Sequence, residues 1–133
     1  MWPRRYRGGA RSGLAHLLEP ATVHTQNENQ APVVVVTGEI DMATAPMLER
    51  ELSAAIETAA GAVVLDLVDV SFFDSSGLRV AIVAHRDLKE QGRRLAVVCD
   101  PQGHVRRTFG LAGLADLLDL HPSRAAALAE LDR

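Results

Sequence analysis

A single α/β domain, with a four- to five-stranded mixed sheet and about four helices, is predicted by two observations. Short continuous apolar runs, "VVVV", "AVVLDL" and "LAVVC", recur along the chain, and they are too short and too uninterrupted for surface helices. Between them lie stretches whose apolar residues repeat at three- and four-residue spacing. Alternation of this kind within about 100 residues gives a mostly parallel or mixed sheet with helices packed on it. The length of 133 residues suits one core, and 47% hydrophobic residues with only 4% aromatic make that core aliphatic.

Residues 1–13, "MWPRRYRGGARSG", mix Pro, Arg and Gly without periodicity, and a disordered basic tail is predicted there, with the folded domain spanning 14–133. A weak first strand is placed within residues 14–23. The polar stretch "HTQNENQAP", residues 24–32, reads as a connection to a strong strand at 33–37. Ala45, Leu48, Leu52, Ala55, Ile56 and Ala59 then form a helical stripe that Thr44 can cap, that tolerates Pro46 in its first turn and that Gly61 ends. "AVVLDL" follows as a buried strand. Leu78, Ala81, Ile82, His85 and Leu88 mark the next helix, stopped at Gly92. "RRLAVVC" is a strand, "QGHVRRTFGLAGL" a helix frayed by Gly110 and Gly113, and "LLDLH" a last short strand. Ser123, after Pro122, caps a closing Ala- and Leu-rich helix.

Charge and composition narrow the function. Arg4, Arg5, Arg7 and Arg11 lie in the first 12 residues without an acid, and removing those four charges from the net −3 leaves −7 on the rest. So acidic a body argues against direct nucleic-acid binding. No segment approaches the roughly 20 apolar residues of a membrane span, and "GLAHLL" is too short and interrupted for an export signal. The single cysteine, Cys99, sits in an apolar run and cannot form an internal disulfide, which fits a reduced interior position and the cytoplasm. No Cys/His cluster has metal-ligand spacing and no phosphate loop is present, so neither metal nor cofactor is expected.

In such sheets sites form in loops leaving the carboxyl ends of strands. Two polar motifs occupy such loops: "GEID", ending at Asp41, and "DSSG", Asp74-Ser75-Ser76-Gly77. Asp74, Ser75 and Ser76 can all act as helix caps. A helix N-terminus also concentrates free N–H donors and partial positive charge, so a serine there can carry a phosphate. Ser75 is thereby a candidate phosphorylation site.

A serine hydrolase is the enzymatic rival, because Ser75 lies between a strand and a helix. Yet Phe73 stands where G-x-S-x-G needs its first glycine, and His104 and His121 are scattered rather than patterned as bases. A phospho-aspartate receiver shares the alternation and would use Asp66. It lacks an acidic pair after the first strand, and the only lysine, Lys89, lies within a helix. Arg93-Arg94 and Arg106-Arg107 read as solvated faces rather than phosphate contacts.

The segments "VTGEIDMATAPMLERELSAAI", "VVLDLVDVSFFDSSGLRVAI", "GRRLAVV" and "FGLAGL" together resemble the STAS domain in its free-standing, bacterial anti-sigma factor antagonist form, over about residues 33–120. The resemblance implies a regulatory protein without enzymatic activity that switches partners in transcription regulation. Unmodified, it binds an anti-sigma factor that is itself a serine kinase, so that the sigma factor is released. That kinase phosphorylates the serine directly after the aspartate, here Ser75, and a metal-dependent serine phosphatase reverses the modification. Asp74, Ser76 and Gly77 match the rest of the motif, and Asp41 matches the acidic end of a loop on the same partner-binding face. The alternative within the same fold is a STAS-type interaction module of another complex, in lipid transport or stress signalling, that works without phosphorylation.

Overall fold

A computed structural model describes residues 21–132. The strand expected within residues 14–23 therefore falls largely outside the described residues, as does the basic tail. The elements run β1 (Thr22–Glu28), β2 (Ala31–Ile40), α1 (Ala45–Thr58), β3 (Val63–Phe73), α2 (Ser75–Glu90), β4 (Leu95–Val98), α3 (His104–Leu111), β5 (Asp119–His121) and α4 (Arg124–Leu131). The sheet order is β1-β2-β3-β4-β5, with β1 antiparallel to β2 and every later pair parallel.

The segment at 24–28, read from sequence as a connection, is instead most of β1. Its hairpin turn is made by Asn29 and Gln30, both at positive φ (53° and 67°), which is the backbone a tight antiparallel turn with the strands' own twist requires. The strand is disguised because it lies at the sheet edge. His24, Thr25, Gln26 and Asn27 are all exposed, so no apolar alternation marks it.

The central parts of β2, β3 and β4 are rich in apolar residues because both their faces are covered. Val34 and Val36, Val63 and Leu65, and Leu95 and Val97 pack with Leu48, Leu52, Ala81, Leu88, Val105 and Phe109 of α1, α2 and α3. Val33 and Val35, Val64, Ala96 and Val98 face the other way, against Ala127 and Leu128 of α4. Asp66 is the buried charge on that second face. Arg124 of α4 reaches it through Nε (2.9 Å) and Nη2 (2.7 Å) to Oδ2, and meets Glu28 Oε2 through Nη1 at 2.6 Å. Cys99 is buried, and burial pushes its thiol up to about 11.

Arg93 is not a solvated residue, as its sequence context suggested. Its guanidinium donates to the carbonyls of Gly61 (2.9 Å), Ile56 (3.0 Å) and Ala59 (2.8 Å), closing the end of α1, which carries no basic residue in its own last turn. Arg94 pairs with Asp119 at 2.6 Å. Ser123 caps α4 as expected, accepting from Ala126 N at 3.0 Å.

Candidate functional site

The carboxyl ends of β2 and β3 meet through irregular pairing. Their register slips between Val35 and Thr37 and again between Gly38 and Glu39, so β3 carries extra residues and bends where the loops begin. Gly38 sits at φ 90°, a backbone only glycine adopts cheaply. As a result Phe73 turns into the core at 1% exposure while its neighbour Phe72 stays 41% exposed. Asp74 N then donates to Ile40 O at 3.2 Å, which fastens the "DSSG" turn beside the "GEID" turn. The two motifs singled out in the sequence are therefore adjacent in space.

Within "DSSG" each residue has a separate task. Asp74 is the N-cap of α2, in extended conformation, and its Oδ1 accepts from Ser76 N at 2.8 Å. The helix thus begins at Ser75, three residues before the stripe that starts at Leu78. Ser75 is exposed, and its Oγ makes no hydrogen bond among the described residues. Ser76 is half-buried. Gly77 is buried against Phe73 and Ile40: a Cβ there would lie 2.7 Å from Phe73 Cε1 and 3.0 Å from Ile40 Cγ2. Apart from the capping aspartate, the first turn of α2 carries no acid.

Thr44 is the N-cap position of α1 but its side chain makes no capping bond, and Asp41 closes the turn that leads into the helix. Its Oδ1 accepts from Ala43 N (3.0 Å), Thr44 N (3.1 Å) and Thr44 Oγ1 (3.1 Å). Thr44 has αR backbone and no capping bond from its side chain. Its Oγ1 accepts from Asp41 N at 2.9 Å and also has Glu39 O in reach at 2.8 Å. Hydrogen bonds from the backbone and hydroxyl of Thr44 hold the Asp41 carboxyl below its ordinary range.

Three side chains at this end of the sheet were not legible in the sequence. Met42 is 79% exposed beside Asp41, and Phe72 stacks on the imidazole of His104 at 5.5 Å with an interplanar angle of 18°. His104 opens α3, so three strand-end turns share one face. Exposed apolar groups beside polar loop tips are the composition of a docking surface. Among the described residues, His104 and His121 do not stand as bases beside Ser75. His104 Nε2 lies 3.3 Å from Thr108 Oγ1, and His121 Nε2 lies 2.9 Å from Asp119 Oδ1 without hydrogen-bond geometry. Ser75 Oγ has neither as a partner. Among the described residues no group of three or more His, Cys, Asp or Glu is placed to hold a metal ion, and no helix is long and apolar enough to cross a membrane.

Residues 21–127, the span holding the sheet and both turns, match the family model of the STAS domain. The chain belongs to that family. This STAS domain is 36% identical over 95 residues to the anti-sigma-B factor antagonist of Bacillus subtilis, covering 71% of this chain and 84% of the relative. It is 31% identical over 101 residues to the anti-sigma F factor antagonist of Paenibacillus polymyxa, covering 75% and 86%. Among solved structures, an anti-sigma factor antagonist from Mycobacterium paratuberculosis superposes with a TM-score of 0.78 at 32% identity, over 86% of this STAS domain and 96% of that chain.

Proposed function

We propose that this STAS domain is an anti-sigma factor antagonist of the bacterial cytoplasm, a binding protein rather than an enzyme, switched by phosphorylation of Ser75. The observation that carries the reading is the division of labour at the start of α2. Asp74 already supplies the cap, so Ser75 Oγ is exposed and unbonded at a helix N-terminus with no other duty. The relatives named as anti-sigma factor antagonists supply the partner class.

Unmodified, the face formed by Asp41, Asp74, Ser75, Ser76 and Gly77 docks on an anti-sigma factor, which then releases its sigma factor. That anti-sigma factor is a serine kinase. Ser75 Oγ attacks the γ-phosphorus of ATP, an Oγ–P bond forms as the bond to the β-phosphate oxygen breaks, ADP leaves, and a kinase base takes the hydroxyl proton. The phosphate adds about −1.5 to −2 charge and three acceptor oxygens to the docking face. The helix N-terminus accommodates it, so the fold persists while bulk and repulsion from acidic partner groups end docking. A metal-dependent serine phosphatase hydrolyses the phosphoester and restores binding.

Incubation with ATP and the kinase-type anti-sigma factors of the same genome should add about 80 Da, one phosphoryl group, to the wild type and nothing to Ser75→Ala. Ser75→Ala should bind constitutively and Ser75→Asp weakly. No mass gain with any of these kinases, or equal affinity of Ser75→Asp and the wild type, would leave a STAS module that binds without this switch.

A further inference from the structure

We propose that Arg79 is the built-in counter-charge for a phosphate on Ser75, so that modification both adds negative charge and withdraws a cation from the docking face. The proposal rests on the reading of Ser75 as the modified residue. Arg79 lies four positions after Ser75 on α2, one turn along the same face, and because helical side chains lean toward the N-terminus its guanidinium is within reach of a phosphate on Ser75. An acid preceding a base at this spacing is the favourable order in a helix.

The arginine is available. It is exposed and makes no hydrogen bond or ion pair among the described residues, although it lines the groove between α1 and α2 with Glu49 and Asp87. Four other arginines are committed: Arg93 to the end of α1, Arg94 to Asp119, Arg124 to Asp66 and Glu28, and Arg107 to Gln102 O; Arg50, Arg86 and Arg106 lie on α1, about three turns past Ser75 on α2, and on α3. The acids Asp74, Glu39 and Asp41 flank this turn, and Arg79 is the cation on the first two turns of α2. Its planar fork can hold two phosphate oxygens at once, where a lysine would offer a point charge. Before modification the same guanidinium is free for an acidic group of the partner.

The test installs phosphoserine genetically at position 75, which makes it independent of any kinase, and follows the phosphate by phosphorus NMR titration. With Arg79 in place the second phosphate pKa should lie below the usual value near 6, and Arg79→Gln should raise it by about half a unit, with Arg79→Lys in between. Unphosphorylated Arg79→Gln should melt with the wild type, which separates charge pairing from damage to the fold. Identical titrations of the phosphorylated wild type and Arg79→Gln would overturn the proposal. Failure of every kinase to modify Ser75 would instead overturn the reading it rests on and leave this titration standing.

Discussion

Adding one methyl group at Gly77 should destabilise the domain, even though it replaces a glycine inside a helix. The new Cβ would lie 2.7 and 2.8 Å from the Phe73 ring, closer than real Cβ contacts come, and a tight 3.0 Å from Ile40. Neither neighbour can move aside, because Phe73 is 1% and Ile40 0% exposed, and Phe73 also packs on Phe109 at 5.7 Å. Overpacking of this kind costs about 1–3 kcal/mol. Alanine returns up to about 1 kcal/mol of helix propensity and chain entropy. The net expectation for Gly77→Ala is a loss of about 1–2 kcal/mol, read as a lower urea midpoint with unchanged slope and a melting temperature lower by about 5–10 °C. Gly61→Ala is the control, since nothing lies within 4 Å of its Cβ position. Gly77→Ala as stable as the wild type would show that the "DSSG" glycine is not there for close packing.

Arg93→Ala should remove about 2 kcal/mol by stripping the donors from three carbonyls at the end of α1, and Arg93→Lys should not restore it, because one ammonium cannot span all three; thermal melts of both variants check this. Asp41→Asn probes the turn leading into α1 by pH. Since the native carboxyl is held below its ordinary range, its charge contributes stability that is complete above about pH 4 and lost as pH falls through the lowered native value. The gap in melting temperature between wild type and Asp41→Asn should therefore be widest near neutrality and close in acid. A gap that widens as pH falls would reverse the assignment.

The parts of the fold that could be read from sequence were those whose signal is local. Val33 to Val36 and Val63 to Leu65 announce strands covered on both faces, Ser123 announces a cap, and Asp74, Ser75 and Ser76 announce that one of them caps α2, because each property belongs to a few adjacent residues. β1 escaped because an edge strand exposed through His24, Thr25, Gln26 and Asn27 needs no apolar residues, and because Gln30 is an unusual occupant of a positive-φ turn. The start of α2 came three residues early because Ser75, Ser76 and Gly77 are poor helix formers held helical by their cap and by Phe73. Thr44 holds the N-cap position but makes no capping bond, because its hydroxyl is engaged by the Asp41 turn that precedes the helix. At the candidate site, the proximity of Asp41 to Ser75 was legible through paired motifs. The Phe72–His104 stack was not, since it joins residues 32 positions apart through the bend of β3.

The pairing of Arg124 with Asp66 spans 58 residues of sequence, and its other arm reaches Glu28 at the far end of the described chain. At a synthesis rate of about 5–20 residues per second, a nascent chain waits roughly 3–12 s between the appearance of Asp66 and that of its cation. During that interval α4 is absent from the second face of the sheet, and the carboxylate destined for burial must remain in water. Eight residues are too few for α4 to hold its helix alone, so it forms only on a sheet that is already paired. The second face of the sheet is therefore closed only after the strands that α4 covers have been made and paired, and Asp66 is the last of the buried groups to find its partner.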